Sequence, residues 1–227
     1  MMTAERILYE DNHLIIINKQ PSEIVQGDIT GDPPLSETIK SFLKQKYEKP
    51  GNVFLGVTHR LDRPVSGAIV FAKTSKALSR LNTMFKEKAV RKTYRALCLN
   101  RPTEDAGHLQ HFLIKDTQKN KTAAFASQVD GGKFSELNYL LLKTVSGNSL
   151  LEVEPLTGRP HQIRVQLAAI GCIIKGDLKY GAPAPNPDKS ICLHSYKVEF
   201  IHPVSEKKIS ITAPILNAQF WNGACHY

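Results

Sequence analysis

Leu14-Ile15-Ile16-Ile17 is an unbroken run of large aliphatic residues, three of them β-branched, and it limits the possible folds more than any other stretch. A strand with one wet face alternates apolar and polar residues. A run without alternation belongs to a strand covered on both faces. The chain therefore needs a sheet with packing layers on either side of this strand. Its 227 residues suffice for one large domain or two small ones, either with a proper core. The run is far too short to span a bilayer, and no basic segment followed by a long apolar one opens the chain, so neither a membrane anchor nor a secretory signal is expected.

Strand signals outnumber helix signals along the rest of the chain. Ile7 to Tyr9 and His13 to Asn18 read as two strands joined by a turn at Asp11-Asn12. Gly27 to Pro34 is loop by composition. Ser36-Glu37 opens a helix with Ile39, Phe42 and Leu43 at helical spacing, and Pro50-Gly51 ends that segment. Gly67 to Phe71 is a strand. Thr74-Ser75 caps a second amphipathic helix bearing Leu78, Leu81 and Phe85, and Val90 to Leu99 follows as a strand. Between Gly107 and Thr157, turn signals at Asp116 to Asn120, Asp130-Gly131-Gly132 and Ser146-Gly147-Asn148 divide a run of strands. Pro160 opens a third helix as a first-turn proline, and Gly171 closes it. Ile191 to Phe200 and Lys208 to Thr212 are the last strands. No repeat and no linker of disordered composition divides the chain. The expected architecture is one α+β domain over residues 1–227, with a mixed, largely antiparallel sheet and three main helices.

Charge narrows the partner. A formal net charge of +9 favours polyanions, nucleic acid first and an anionic membrane surface second. Cys98, Cys172, Cys192 and Cys225 stand far apart, without zinc spacing or a dense disulfide framework. His108 and His111 are three apart, but no second pair of ligands accompanies them, so no metal is expected. The chain reads as a reduced, soluble, cytoplasmic protein, with a monomer as the expected state.

Three segments carry chemistry. The first, His59-Arg60-Leu61-Asp62-Arg63-Pro64-Val65-Ser66-Gly67, sets one carboxylate between two guanidinium groups on a turn. A carboxylate that attacks or abstracts a proton must stay ionised, and a nearby arginine favours that state. Neighbours on an extended segment point to opposite sides, so the partner can come from elsewhere in the chain. A surface Asp–Arg pair on a turn accounts for this stretch as well. The second segment, Thr157 to Leu167, follows a glycine turn and carries Arg159, His161, Gln162 and Arg164 at a helix start, where anions are favoured. Ile163 and Leu167 would anchor one face in the core, with Arg164 at its edge; a solvated polar face is the plain alternative. The third, Lys88-Ala89-Val90-Arg91-Lys92-Thr93-Tyr94-Arg95, interleaves basic residues with an aromatic, as a base-stacking surface does. A lysine-protected edge strand with a core tyrosine explains it too.

Together, H-R-L-D-R-P-V-S-G, K-T-Y-R-A, G-R-P-H-Q-I-R-V and G-D-L-K-Y-G resemble the pseudouridine synthases of the RluA type, which isomerise specific uridines in ribosomal or transfer RNA. The resemblance covers nearly the whole chain, from Asn18-Lys19 to His202-Pro203. It implies a bent, mixed sheet flanked by helices, with the active cleft along its middle. By the same resemblance, Asp62 is the catalytic aspartate that attacks or deprotonates the ribose, so that the bond from C1′ to N1 breaks. Tyr94 lies against the target base and assists removal of the C5 proton, and Arg164 pairs with the carboxylate. Arg63 helps displace the target nucleotide, while Arg60, His59, Leu61, Ile163, Arg159, His161 and Gln162 line or support the substrate site. No cofactor is implied.

The chain departs from the family pattern in places. The first family motif runs Asn-Lys-Pro-x-Gly, whereas Asn18-Lys19-Gln20-Pro21-Ser22-Glu23 reads as an insertion with the glycine lost. Val65 stands where threonine is common. His59 arrives after only enough residues for two strands and a helix, so the S4-type domain of many relatives is expected to be absent, leaving substrate choice to the catalytic domain and the shape of the RNA. An RNA-binding module without turnover and a glycosidase-type hydrolase that frees uracil are the competing readings.

Overall fold

The computed structural model describes residues 2–27, 31–216, 218–221 and 223. In chain order the strands and helices are β1 (Ile7–Glu10), β2 (Leu14–Lys19), α1 (Leu35–Lys46), β3 (Gly56–Val57), β4 (Ser66–Ala72), α2 (Ser75–Lys86), β5 (Arg91–Cys98), β6 (Ala106–Asp116), β7 (Lys121–Phe125), β8 (Lys133–Val145), β9 (Asn148–Pro155), α3 (Gln162–Ala169), β10 (Leu193–Ile201) and β11 (Lys208–Thr212). This is the α+β class expected, with mostly antiparallel pairing and, among the described residues, three α-helices. The chain forms two compact units, Met1–Arg91 with Ser195–Pro214 and Lys92–His194 with Ile215–Tyr227.

In the first unit β2 runs antiparallel between β1 and β4, with Ile15 opposite Glu10 and Ile17 opposite Ile69. Every residue of β2 is buried, as its lack of alternation requires. On one face Leu14 and Ile16 join Val70 and Ala72 of β4, Ala77 and Leu81 of α2, and Val198 and Phe200 of β10 in a continuous core. On the other face Ile15 and Ile17 are equally buried, and in α1 Leu35, Ile39 and Leu43 are buried as well. Thr74 caps α2 by accepting the Ala77 N–H at 3.2 Å. Helix α1 starts one residue before the expected opening, because Pro34 holds the extended N-cap position and Ser36 is buried in the first turn.

In the second unit β5, β9, β8, β6 and β7 follow one another across an antiparallel sheet. Helix α3 lies against one face, where Val165 packs with Leu113 and Tyr180. Its start differs from the expectation: Pro160 precedes the helix, and His161 takes the N-cap place with a left-handed φ of 55°. A helical run cannot pass back through that residue, so α3 begins at Gln162. Gly171 ends it as expected, with its N–H donating to the Ala168 carbonyl. Cys98, Cys172 and Cys192 are buried and unbridged, and burial pushes their thiols up. Cys225 and positions 28–30 of the expected loop lie outside the described residues. No helix among the described residues is long and apolar enough to cross a membrane.

Candidate active site

In the first unit the Asp62 loop joins β3 to β4. Asp62 is half-buried, Leu61 is buried, and Arg60 and Arg63 are exposed. Arg63 forms an ion pair with Asp32. His59 helps to hold the fold, because its Nε2 accepts the Val70 N–H at 3.0 Å and its ring stacks on Phe85 at 4.7 Å. Beneath the loop lies Lys19, at 0% exposure. Its Nζ donates to the carbonyls of Val65 at 2.6 Å, Arg63 at 3.1 Å and Asp62 at 3.3 Å, and to that of Gln20 at 3.0 Å. One ammonium thus gathers three main-chain carbonyls of the loop and fixes the turn on which Asp62 rides. The Val65 N–H, bonded to the Asp62 carbonyl at 3.0 Å, closes it.

The altered first motif completes this support. Glu23 forms a two-pronged bridge with Arg6 and also accepts the Gln20 N–H at 2.9 Å. Ser22 adopts a φ of 70°, the conformation the family glycine would supply. Counted without a gap, Ser22 occupies that glycine's place, so no insertion is needed. Its N–H donates to the Arg63 carbonyl at 2.9 Å, tying the turn to the Asp62 loop. At the loop's far end Gly67 has a φ of +112°, and a Cβ there would stand 2.4 Å from the Ser195 carbonyl oxygen. Only glycine lets the motif close on that neighbour.

Burial pulls the Lys19 ammonium down to about 7 from its ordinary 10.5, with the Glu23 and Asp62 carboxylates opposing and Arg6 and Arg63 reinforcing the shift. In the unfolded chain the same lysine keeps its proton to about its ordinary value. Between pH 7 and 10.5 the unfolded state therefore binds more protons, and the Lys19 contribution makes stability rise with pH across that window. Below pH 7 it is flat. Urea unfolding of the wild type is expected to gain on Lys19→Met by roughly 1 kcal/mol per pH unit there. Parallel pH profiles would refute the assignment.

In the second unit the Thr157–Arg164 segment is built inward. Gln162 Oε1 accepts from the Thr157 hydroxyl at 2.8 Å and the Arg159 N–H at 3.0 Å, and Gln162 Nε2 donates to the Glu136 carbonyl at 2.9 Å. Arg164, at 5% exposure, points into the unit and not to a solvated face. Its Nε and Nη2 donate to the two carboxylate oxygens of Asp177 at 2.7 and 2.8 Å, and its guanidinium lies 5.0 Å from the centre of the Tyr180 ring. The Tyr180 hydroxyl accepts the Thr122 N–H at 2.9 Å and is hydrogen-bonded to His161 Nδ1 at 2.8 Å. Burial pushes that hydroxyl up, so it stays protonated. Gly176, at φ +86° with the Ser190 carbonyl 2.8 Å from where its Cβ would be, lets the chain turn sharply to present Asp177. Ile163 is buried and Arg159 is exposed. Tyr94, at 8% exposure, is in β5 opposite Val153.

The expected residues thus group by segment: His59, Arg60, Asp62 and Arg63 on one loop, and Arg159 to Arg164 on the turn into α3 and its first residues. Sequence reasoning missed Lys19, Asp177 and Tyr180. The last two stand in G-D-L-K-Y-G, one of the motifs that carried the resemblance, and a buried arginine at Arg164 requires an acidic partner. Among the described residues no cluster of His, Cys, Asp or Glu is arranged to hold a metal ion. His108 Nδ1 pairs with Asn138 at 2.7 Å, and His111 with Gln166 at 3.1 Å.

Comparison with known proteins adds three findings. The family model described as RNA pseudouridylate synthase matches residues 13–169, a span that includes Asp62, Tyr94 and Arg164. Ribosomal large subunit pseudouridine synthase C of Vibrio cholerae is 33% identical over 92% of this chain and 65% of its own length, and its namesake in Buchnera aphidicola is 37% identical over 92% and 67%. The chain spans about two thirds of the length of these curated relatives. Among solved structures, Human RNA Pseudouridylate Synthase Domain Containing 4 superposes with a TM-score of 0.80 at 21% identity, covering 96% of this chain and 91% of that one. Human RNA Pseudouridylate Synthase Domain Containing 1 gives 0.72 at 24%, covering 92% and 82%.

Proposed function

Because this chain belongs to the RNA pseudouridylate synthase family, we propose that it isomerises uridine to pseudouridine in ribosomal RNA, transfer RNA or both, as one catalytic domain over residues 1–227. The observation that carries the reading is the order of motifs within the family match: Asp62, Tyr94 and Arg164 all stand at motif positions inside residues 13–169. Asp62 is the carboxylate that breaks the bond from C1′ to N1, by attack at C1′ or by taking the C2′ proton. The freed uracil turns and C5 bonds to C1′, displacing the Asp62 oxygen in the first route, or with Asp62 returning the C2′ proton in the second; the C5 proton leaves with help from Tyr94, and N1 gains a proton. Bonds and charges balance without an oxidant or a group donor. Arg164 serves the Asp62 carboxylate, and the buried Asp177 holds Arg164 in place.

The surface chemistry fits such a substrate. A net charge of +9 draws the phosphate backbone, and the exposed Arg60, Arg63 and Arg159 are its proposed contacts. His59, Ile163, His161 and Gln162 act through the segments they hold. Extracting a uridine from its stack costs a few kcal/mol, which phosphate contacts and Arg63 offset. The protein works as a monomer in the cytoplasm on this reading. Incubation with RNA carrying 5-tritiated uridine is expected to release tritium, and nuclease digestion should yield pseudouridine. Free uracil with abasic RNA would instead mark a hydrolase, and binding without either product a module that lacks turnover.

A further inference from the structure

The second unit carries a row of aromatic rings that the proposed chemistry does not use. Phe112 of β6 stands opposite Phe125 of β7 on one side and opposite Phe134 of β8 on the other. Directly opposed residues of antiparallel strands share a face, so the three rings form one rank across three strands. Phe112 and Phe134 meet edge to face, with centroids 5.7 Å apart. Phe125 and Phe134 remain 39% and 40% exposed. The other face of the same strands already holds the core, with Leu113, Ala124, Val165 and Tyr180 packed together. The rings are therefore surplus to that core and face outward.

We propose that Phe125, Phe112 and Phe134 form a stacking platform for unpaired bases of the RNA substrate. This rests on the proposed activity and adds the form of RNA the enzyme holds: single-stranded loop in preference to duplex. The platform is fastened to the segment that carries Arg164. Arg159 Nε donates to the Phe134 carbonyl at 3.2 Å, and the Gln162 amide and the Leu156 N–H both donate to the Glu136 carbonyl, at 2.9 and 3.0 Å. Arg159 thus stands exposed beside the rings with its stem fixed, a cation in place for the phosphate between stacked bases. Lys121 and Lys133 are exposed at the starts of β7 and β8. The neighbouring Glu136 carboxylate faces His108 Nε2 at 3.8 Å. Aromatic faces with cations beside them suit nucleotides, whose bases offer π-faces whatever the sequence and whose backbone is anionic. A duplex keeps its bases stacked on one another and cannot use the platform.

The test compares wild type with the double variant Phe125→Leu, Phe134→Leu, which keeps apolar bulk and removes the two exposed rings. Fluorescence anisotropy at fixed salt would read affinity for a short single-stranded oligouridylate and for a duplex of equal length. The double variant is expected to lose about tenfold or more on the single strand and nothing on the duplex, and Phe125→Trp with Phe134→Trp to keep wild-type affinity. Single-strand affinity within about twofold of wild type overturns the platform, as does an equal loss on both RNAs. A wild-type self-association that the leucines abolish, with RNA binding intact, would make this face a protein interface and overturn it too. Tritium release by the wild type separates the two readings. Ring-dependent binding without tritium release sinks the isomerase and leaves the platform standing; release with ring-independent binding sinks the platform alone.

Discussion

Asp62→Asn is expected to abolish tritium release while leaving RNA affinity within a few-fold of wild type. The substitution preserves volume and removes only the charge and basicity of one half-buried side chain. The loop's support runs through the main chain: the Asp62 carbonyl accepts from Lys19 Nζ and from the Val65 N–H, and both bonds survive the change. The fold should therefore persist, with a thermal midpoint close to wild type. A carboxylate acting as nucleophile or base contributes far more to rate than to binding, so the loss should be on the order of a thousandfold or more in turnover. Binding depends chiefly on phosphate contacts, to which a carboxylate adds nothing favourable. A variant with full turnover would remove Asp62 from the chemistry. One that lost affinity and turnover together would point to a collapsed loop.

Much of the fold can be read from residue patterns because local signals and packing agree. The Leu14–Ile17 run demands a strand buried on both faces and obtains one, and the turn signals between Gly107 and Thr157 separate β6 to β9 as expected. Thr74 caps where a threonine before an amphipathic run should. The reading fails where two local preferences compete. Pro160 suits a first helical turn, but His161 takes a left-handed conformation with its Nδ1 against the Tyr180 hydroxyl, and the helix begins later. That partner is 19 residues away in sequence and leaves no trace in the local pattern.

The site is legible as residue types at motif spacing, and much less so as a set of supports. Asp62 stands out because a carboxylate between arginines is chemically conspicuous. Lys19 does not, because a lysine at a strand end usually reaches solvent. Its burial follows from three loop carbonyls converging on one point, a tertiary fact. Ser22 carries the same lesson in reverse: the missing glycine looks like a broken turn, yet Ser22 itself takes the left-handed backbone that favours glycine. Arg164 suggests a surface cation on a helix, but α3 buries Gln162, Arg164 and Gln166 as well as its aliphatic residues.

Asp177→Asn is expected to lower stability by about 3 kcal/mol, because it removes the buried carboxylate to which Arg164 Nε and Nη2 donate. With Asp177 at 1% exposure and Arg164 at 5%, water cannot take the carboxylate's place. For a chain of this length the thermal midpoint should fall by roughly 10 °C. Lost activity alone would not distinguish a misfolded unit from a misplaced arginine. The double variant Arg164→Met, Asp177→Leu supplies the distinction. Replacing both members of a buried pair by apolar residues of similar size is often neutral for stability, since neither charge then needs solvation. The double variant should recover most of the loss in urea unfolding and remain inactive toward 5-tritiated uridine. Recovered stability with recovered turnover would make Arg164 a packing residue, and its role toward Asp62 would fall. Recovered stability without turnover assigns the arginine to the chemistry and the aspartate to positioning it.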